Sequence, residues 1–277
     1  AYMEDKKLST VPVNRLSILL AMISLALAGN FLVPPQSDAA QISIFNFLFE
    51  LKINRFSLIP VITGILTFFG TSWFLRSDRH SKDEDLVDFG SSLILPVLTV
   101  SVLSSVLQLM NRSTVWWIVY FLGVLLLGVV LIAEYAVRNR NSPYFVPAQI
   151  GLTALSFTLF FALCVTVRAA SLRVYIMLLF IVVAAAFVSY RVVKVRTGQV
   201  IPTGTAIIIL IIMGQFVMAA NYLYINGIQF GLLLTWLLYS LVSLASSLLE
   251  ARPSKESSRE PIAMGLITLI LFFVISL

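Results

Sequence analysis

The only histidine in the chain lies in a short charged stretch, RSDRHSKDEDLVDFG, which runs from Arg76 to Gly90. His80 is accompanied there by five acidic residues, and imidazole and carboxylate groups are suitable ligands for a divalent cation. However, Arg79 and Lys82 interrupt the acidic residues, and the spacing fits no metal-binding motif that we can name. We therefore interpret the stretch as a solvated loop, and we predict neither a metal ligand nor a catalytic residue in it.

The segments on both sides of this loop are strongly apolar. Of the 277 residues, 59% are hydrophobic and only 12% are charged, whereas about 25% are charged in an average soluble domain. Apolar runs of about 20 residues, long enough to cross the hydrocarbon core of a bilayer as a helix, recur along the whole chain. The sequence predicts an all-α polytopic membrane protein.

Nine apolar runs predict nine transmembrane helices within a single domain, residues 1–277. The predicted spans are 16–33, 56–75, 91–110, 115–137, 149–167, 173–190, 201–223, 228–249 and 260–277. The first run also resembles a signal peptide, because Ala26 and Ala28 precede its end, but we interpret it as a span. Residues 36–54 carry apolar side chains near helical spacing over a length too short to cross, which predicts an amphipathic helix at the membrane surface.

The positions of lysine and arginine predict the orientation, since cytoplasmic loops retain these residues. If the N-terminus is cytoplasmic, fourteen of the nineteen basic residues lie in inner segments and five in outer segments. The opposite orientation would invert this ratio. We therefore predict a cytoplasmic N-terminus and a C-terminus on the other side of the membrane.

Motifs for most kinds of chemistry are missing from the sequence. It contains no P-loop, GxGxxG, HExxH or CxxC pattern, which argues against ATP-driven work by this chain and predicts no cofactor and no metal. Cys164 is the only cysteine, so no disulfide forms within the chain. The basic residues are scattered at the ends of apolar runs, which argues against a nucleic-acid partner.

Polar residues recur within several predicted spans at helical spacing. Two interpretations are open, because such residues either pack helices together, at about 0.6 kcal/mol each, or line a water-filled path. The second interpretation predicts a polar cavity between spans 2, 3 and 8, with contributions from span 7. The candidate ligand-binding residues are Gln108, Ser101, Ser105, Tyr239, Ser243, Gln215 and Asn221.

Three charged residues near the span ends are further candidates. Glu134 precedes Arg138 by one helical turn, so it either forms a surface ion pair or, if it faces a cavity, couples protons or ions to transport. Arg168 and Arg173 bracket a short outer turn, where they can extend to the phosphates of lipid headgroups. Membrane lipids are the expected partners of the chain, together with other membrane subunits.

Three classes of function fit these features. Polar stripes and proline-containing spans favour an ATP-independent transporter or channel for a small or lipid-like solute. Short loops and the missing motifs favour a non-catalytic scaffold or accessory subunit of a membrane complex. A membrane-embedded enzyme that processes lipids comes third, because no pair of catalytic side chains is visible at membrane depth.

Overall fold

A computed structural model describes residues 13–32, 42–44, 47–49, 55–75, 86–138, 145–197, 202–250 and 259–276. Nine α-helices occur in these residues, each containing most of one predicted span. They are α1 (Val13–Leu32), α2 (Arg55–Leu75), α3 (Leu86–Leu109), α4 (Thr114–Arg138), α5 (Phe145–Ala169), α6 (Val174–Thr197), α7 (Thr203–Asn221), α8 (Gly227–Leu249) and α9 (Arg259–Ser276).

Six of the helices, α3 to α8, are long and apolar enough to cross a membrane. The apolar parts of α1, α2 and α9 are shorter, at Asn14–Gly29, Ile59–Leu75 and Pro261–Phe272. The prediction of a helical bundle with several potential membrane spans is thus confirmed, by the length and composition of these helices.

The amphipathic helix predicted over residues 36–54 is wrong for the part of this segment that the structure describes. Ile42–Ile44 and Phe47–Phe49 are two short antiparallel strands, β1 and β2, in which Ile42 pairs with Phe49 and Ile44 with Phe47. Isoleucine and phenylalanine favour strands over helices. Apolar residues this closely spaced fit the helical repeat of about 3.6 residues and also the two-residue repeat of a strand, so their spacing does not distinguish the two.

The chain forms two compact units, residues Ala1–Ala148 and Gln149–Leu277. In the first unit, α1, α2, α3 and α4 surround a core that includes Leu19, Ile23, Phe74 and Leu127. The Trp116 indole in this core donates a hydrogen bond to the Leu107 carbonyl at 3.1 Å, which links α4 to the end of α3.

In the second unit, α6, α7 and α8 pack around buried side chains such as Ile181, Met213 and Leu234. Helix α9 packs against α8, and the Gln229 side chain of α8 reaches the Phe272 carbonyl of α9 at 3.4 Å. The turn between α5 and α6 contains Ser171 with a positive φ of 49°. This unit also contains a pocket.

Candidate functional site

A pocket of about 670 Å³ lies among helices of the second unit. Helices α5, α8 and α9 supply most of its wall, and the last turn of α6 supplies one residue. The lining residues are Gln149, Ile150, Thr153, Ala154, Phe157, Thr158, Phe161, Arg196, Leu232, Thr235, Trp236, Tyr239, Met264, Ile267, Thr268 and Leu271. The volume is within the range of about 300–1,000 Å³ that small-molecule sites occupy.

One stripe of α5 forms a long side of the pocket. Gln149, Thr153, Phe157 and Phe161 follow one another at four-residue spacing, which places them on one face of the helix. The Phe161 ring packs against α8 at Gly231, where an added methyl group would lie only 3.0 Å from two atoms of that ring. Phe161 is the last residue of the stripe that lines the pocket.

The opposite end of the pocket is polar. Gln149 is near the start of α5, and its side-chain amide donates a hydrogen bond to the Val195 carbonyl of α6 at 2.6 Å. The adjacent Arg196 extends its guanidinium over the ring of Tyr239, 5.6 Å from the ring centroid. Phe157 meets the same ring edge-on at 5.4 Å. Tyr239 therefore links the charged end of the pocket to its apolar middle.

Trp236 forms the wall between α8 and α9. Its indole donates a hydrogen bond to the Pro261 carbonyl at 3.2 Å. Gly265 makes room for the ring, since a methyl group at this position would lie 2.8 Å from the indole nitrogen. The small residue and the hydrogen bond together fix the indole in the wall.

Threonine hydroxyls in the wall add little polarity to the pocket. Thr153 donates to the Gln149 carbonyl at 2.9 Å, and Thr235 donates to the Gly231 carbonyl at 2.8 Å. Each hydroxyl thus bonds to the backbone of its own helix, as such residues commonly do. Away from Gln149 and Arg196 the wall is mostly apolar, with Thr268 as a further hydroxyl on α9.

Comparison with known proteins identifies a family but no function. Residues 35–275 match the family model described as protein of unknown function (DUF5656). The chain belongs to this DUF5656 family. No curated protein and no solved structure matches it.

Of the ligand-binding residues predicted for this DUF5656 chain, one lines the pocket, namely Tyr239. Ser243 lies one turn further along α8, is buried, and is not among the lining residues. Gln215 is exposed on α7. Asn221, at the end of α7, accepts a hydrogen bond from the Arg168 guanidinium at 2.6 Å.

The other three candidates, Gln108, Ser101 and Ser105, belong to α3 in the first unit. The Ser105 hydroxyl donates to the Ser101 carbonyl at 2.8 Å. A methyl group at Gly64 of α2 would lie 2.9 Å from the Ser101 hydroxyl oxygen, so Ser101 is at the close contact of these two helices. These contacts favour the packing interpretation, and the cavity between spans 2, 3 and 8 stays a prediction.

The charged candidates have different environments. Glu134 is buried in the first unit, with 1% of its surface exposed, while the side chain of Arg138 lies outside the described residues. Arg168 also covers the Phe230 ring at 5.3 Å, and Arg173 reaches the Tyr175 hydroxyl at 3.4 Å. Coupling by Glu134 and headgroup binding by the two arginines stay predictions.

The charged stretch with His80 lies outside the described residues, apart from its last five residues, which begin α3. Among the residues that the structure describes, no three histidine, cysteine, aspartate or glutamate side chains are grouped as metal ligands would be.

Sequence reasoning missed the polar end of the pocket. In the sequence, Arg196 is one of the fourteen basic residues of the predicted inner segments and indicates only the orientation. The usable signal was the repeat of Gln149, Thr153 and Phe157 at four-residue steps, which marks one face of α5 as different from the rest.

Proposed function

We propose that this protein is an integral membrane protein with nine spans that binds a lipid-like amphiphile in the pocket of its second unit and transports it without ATP. The observation that carries this proposal is the pocket itself, which is apolar along most of its length and polar at one end. An amphiphile has the same division between a chain and a headgroup.

The position of the pocket along the helices supports a membrane ligand. Its polar end is near the start of α5 and in the last turn of α6, which would lie at the headgroup layer if both helices cross the bilayer. Under the orientation predicted from the basic residues, this end faces the cytoplasm. The apolar part then extends into the hydrocarbon layer.

Exposed side chains along the rim support entry from the side. Ile150 and Ala154 on α5, and Met264 and Ile267 on α9, line the pocket and are also exposed. In a bilayer, an opening bordered by such residues faces lipid chains. A lipid-like molecule could therefore enter the pocket without first crossing water.

Native mass spectrometry of the protein, purified gently with its own lipids, tests the binding step. We expect one retained molecule of lipid-like mass in the wild type and its loss in Ala154→Trp, because an indole at the rim would fill the opening. Ala219→Trp is the matched control, since Ala219 is exposed on α7 away from the pocket.

Equal retention in all three proteins would contradict the assignment of the pocket as the site. Recovery without a bound lipid but with a stoichiometric partner chain would instead favour the accessory-subunit function. For transport, we expect protein in liposomes to move a fluorescent lipid analogue between leaflets without ATP, and Ala154→Trp to abolish the movement.

A further inference from the structure

The polar end of the pocket carries a positive charge. Arg196 is the only charged residue among the sixteen that line the pocket in the part of the chain that the structure describes. Its neighbour at this end, Gln149, is held against the α6 backbone by a hydrogen bond of 2.6 Å to Val195. A ligand group bound here therefore meets a cation beside an amide.

The Tyr239 ring orients this cation. A guanidinium over an aromatic ring uses its flat face for the contact, whereas its N–H donors point outward in the plane of the group. The Arg196 guanidinium lies over the Tyr239 ring at 5.6 Å from its centroid, and Phe157 contacts the same ring edge-on at 5.4 Å. The planar donors of arginine match the oxygens of a phosphate or carboxylate.

The α5 stripe, from the polar end of the pocket to Phe161, has about the length of one leaflet. From Gln149 to Phe161 the α5 stripe rises by twelve residue steps, which is about 18 Å at 1.5 Å per step. Half of a hydrocarbon core of about 30 Å is about 15 Å. A chain attached to a headgroup at Arg196 would thus extend past Phe157 to Phe161.

We infer that the pocket selects an anionic lipid, with its phosphate or carboxylate at Arg196 and an acyl chain along the α5 stripe. The inference rests on the proposed function, because it requires that the pocket binds an amphiphile. It adds the charge of the ligand and the residue that recognises this charge.

Binding of two defined lipids with identical chains tests the inference. The probes are dioleoyl phosphatidylglycerol, which is anionic, and dioleoyl phosphatidylcholine, which is zwitterionic, each titrated into the delipidated protein and followed by native mass spectrometry. We expect the wild type to prefer the anionic lipid about tenfold, the usual worth of one charge-assisted contact. Arg196→Gln should remove the preference, and Arg196→Lys should keep part of it.

Arg15→Gln is the matched control, because Arg15 on α1 is exposed, also lies over an aromatic ring, that of Trp73 at 5.2 Å, and is not a lining residue. It should retain the tenfold preference. If Arg196→Gln fails to fold, Thr153→Glu is the second variant, since it leaves the Gln149 hydrogen bond intact and its carboxylate, one turn further along the stripe, should also abolish the preference. Soluble glycerol 3-phosphate should not displace the lipid.

The outcomes separate this inference from the proposed function. Equal binding of both lipids by the wild type, or an unchanged preference in Arg196→Gln, overturns the anionic selectivity while leaving an amphiphile site in place. If glycerol 3-phosphate displaces the bound lipid, the ligand at Arg196 is a free anion and not a lipid headgroup. No binding of either lipid overturns the proposed function as well.

Discussion

The contact between Gly265 and Trp236 gives a prediction whose size can be worked out from the structure. In Gly265→Ala, the added methyl group would lie 2.8, 3.1 and 3.3 Å from three atoms of the indole, so the ring must move. Overpacking of this kind costs about 1–3 kcal/mol. Displacement of the ring also weakens its hydrogen bond to the Pro261 carbonyl, which is worth about 1 kcal/mol.

Helix propensity acts in the opposite direction. Replacing glycine by alanine within a helix stabilises it by about 1 kcal/mol, which offsets the lost hydrogen bond. The expected net effect is a destabilisation of about 1–3 kcal/mol, which corresponds to a decrease in Tm of about 2–4 °C per kcal/mol. Thermal unfolding in detergent, followed by circular dichroism, measures it.

Gly151→Ala is the matched control, because Gly151 lies within α5 and a methyl group there would meet no atom within 4 Å. This variant should be as stable as the wild type or more stable. If Gly265→Ala is as stable as the wild type, the Trp236 indole does not pack against Gly265. Trp236 would then not form the pocket wall between α8 and α9.

Two further hydrogen bonds give predictions for the two units separately. Trp116→Phe removes the indole donor to the Leu107 carbonyl in the first unit, so we expect the free energy of unfolding to fall by about 1 kcal/mol beyond the change in packing. Trp117→Phe, at an exposed position, serves as its control in the same denaturation experiment. Arg168→Met removes the donor to the Asn221 side chain, and we expect a loss of about 1–2 kcal/mol. A stability equal to that of the wild type would exclude this link between α5 and α7.

The helices could be predicted from the sequence because long apolar runs in a chain with few charges leave little alternative to helices. The boundaries agree closely where a charged residue ends a run, as at Arg138 for α4 and before Glu250 for α8. The helix predicted around Ile42–Phe49 was wrong because the apolar residues of this segment are too densely spaced to distinguish a strand from a helix.

The pocket could not be predicted because it depends on how neighbouring helices approach one another. The serines of α3 and the residues of α5 have similar polarity in the sequence, yet Ser101 packs against Gly64 whereas Thr153 lines an opening. Arg196 resembles any basic residue at the end of a span. Only its position over the Tyr239 ring distinguishes it.

Photocrosslinking tests the central claim, an amphiphile site between α5 and α8, most directly. Protein in nanodiscs would be irradiated with a trace of a phosphatidylglycerol analogue that carries a diazirine on its acyl chain, and the labelled peptides would be mapped. We predict saturable labelling of residues 149–161 and 232–239, which excess unlabelled phosphatidylglycerol suppresses and Ala154→Trp abolishes. Uniform labelling of all exposed helix faces, unaffected by competitor and by the variant, would contradict the account.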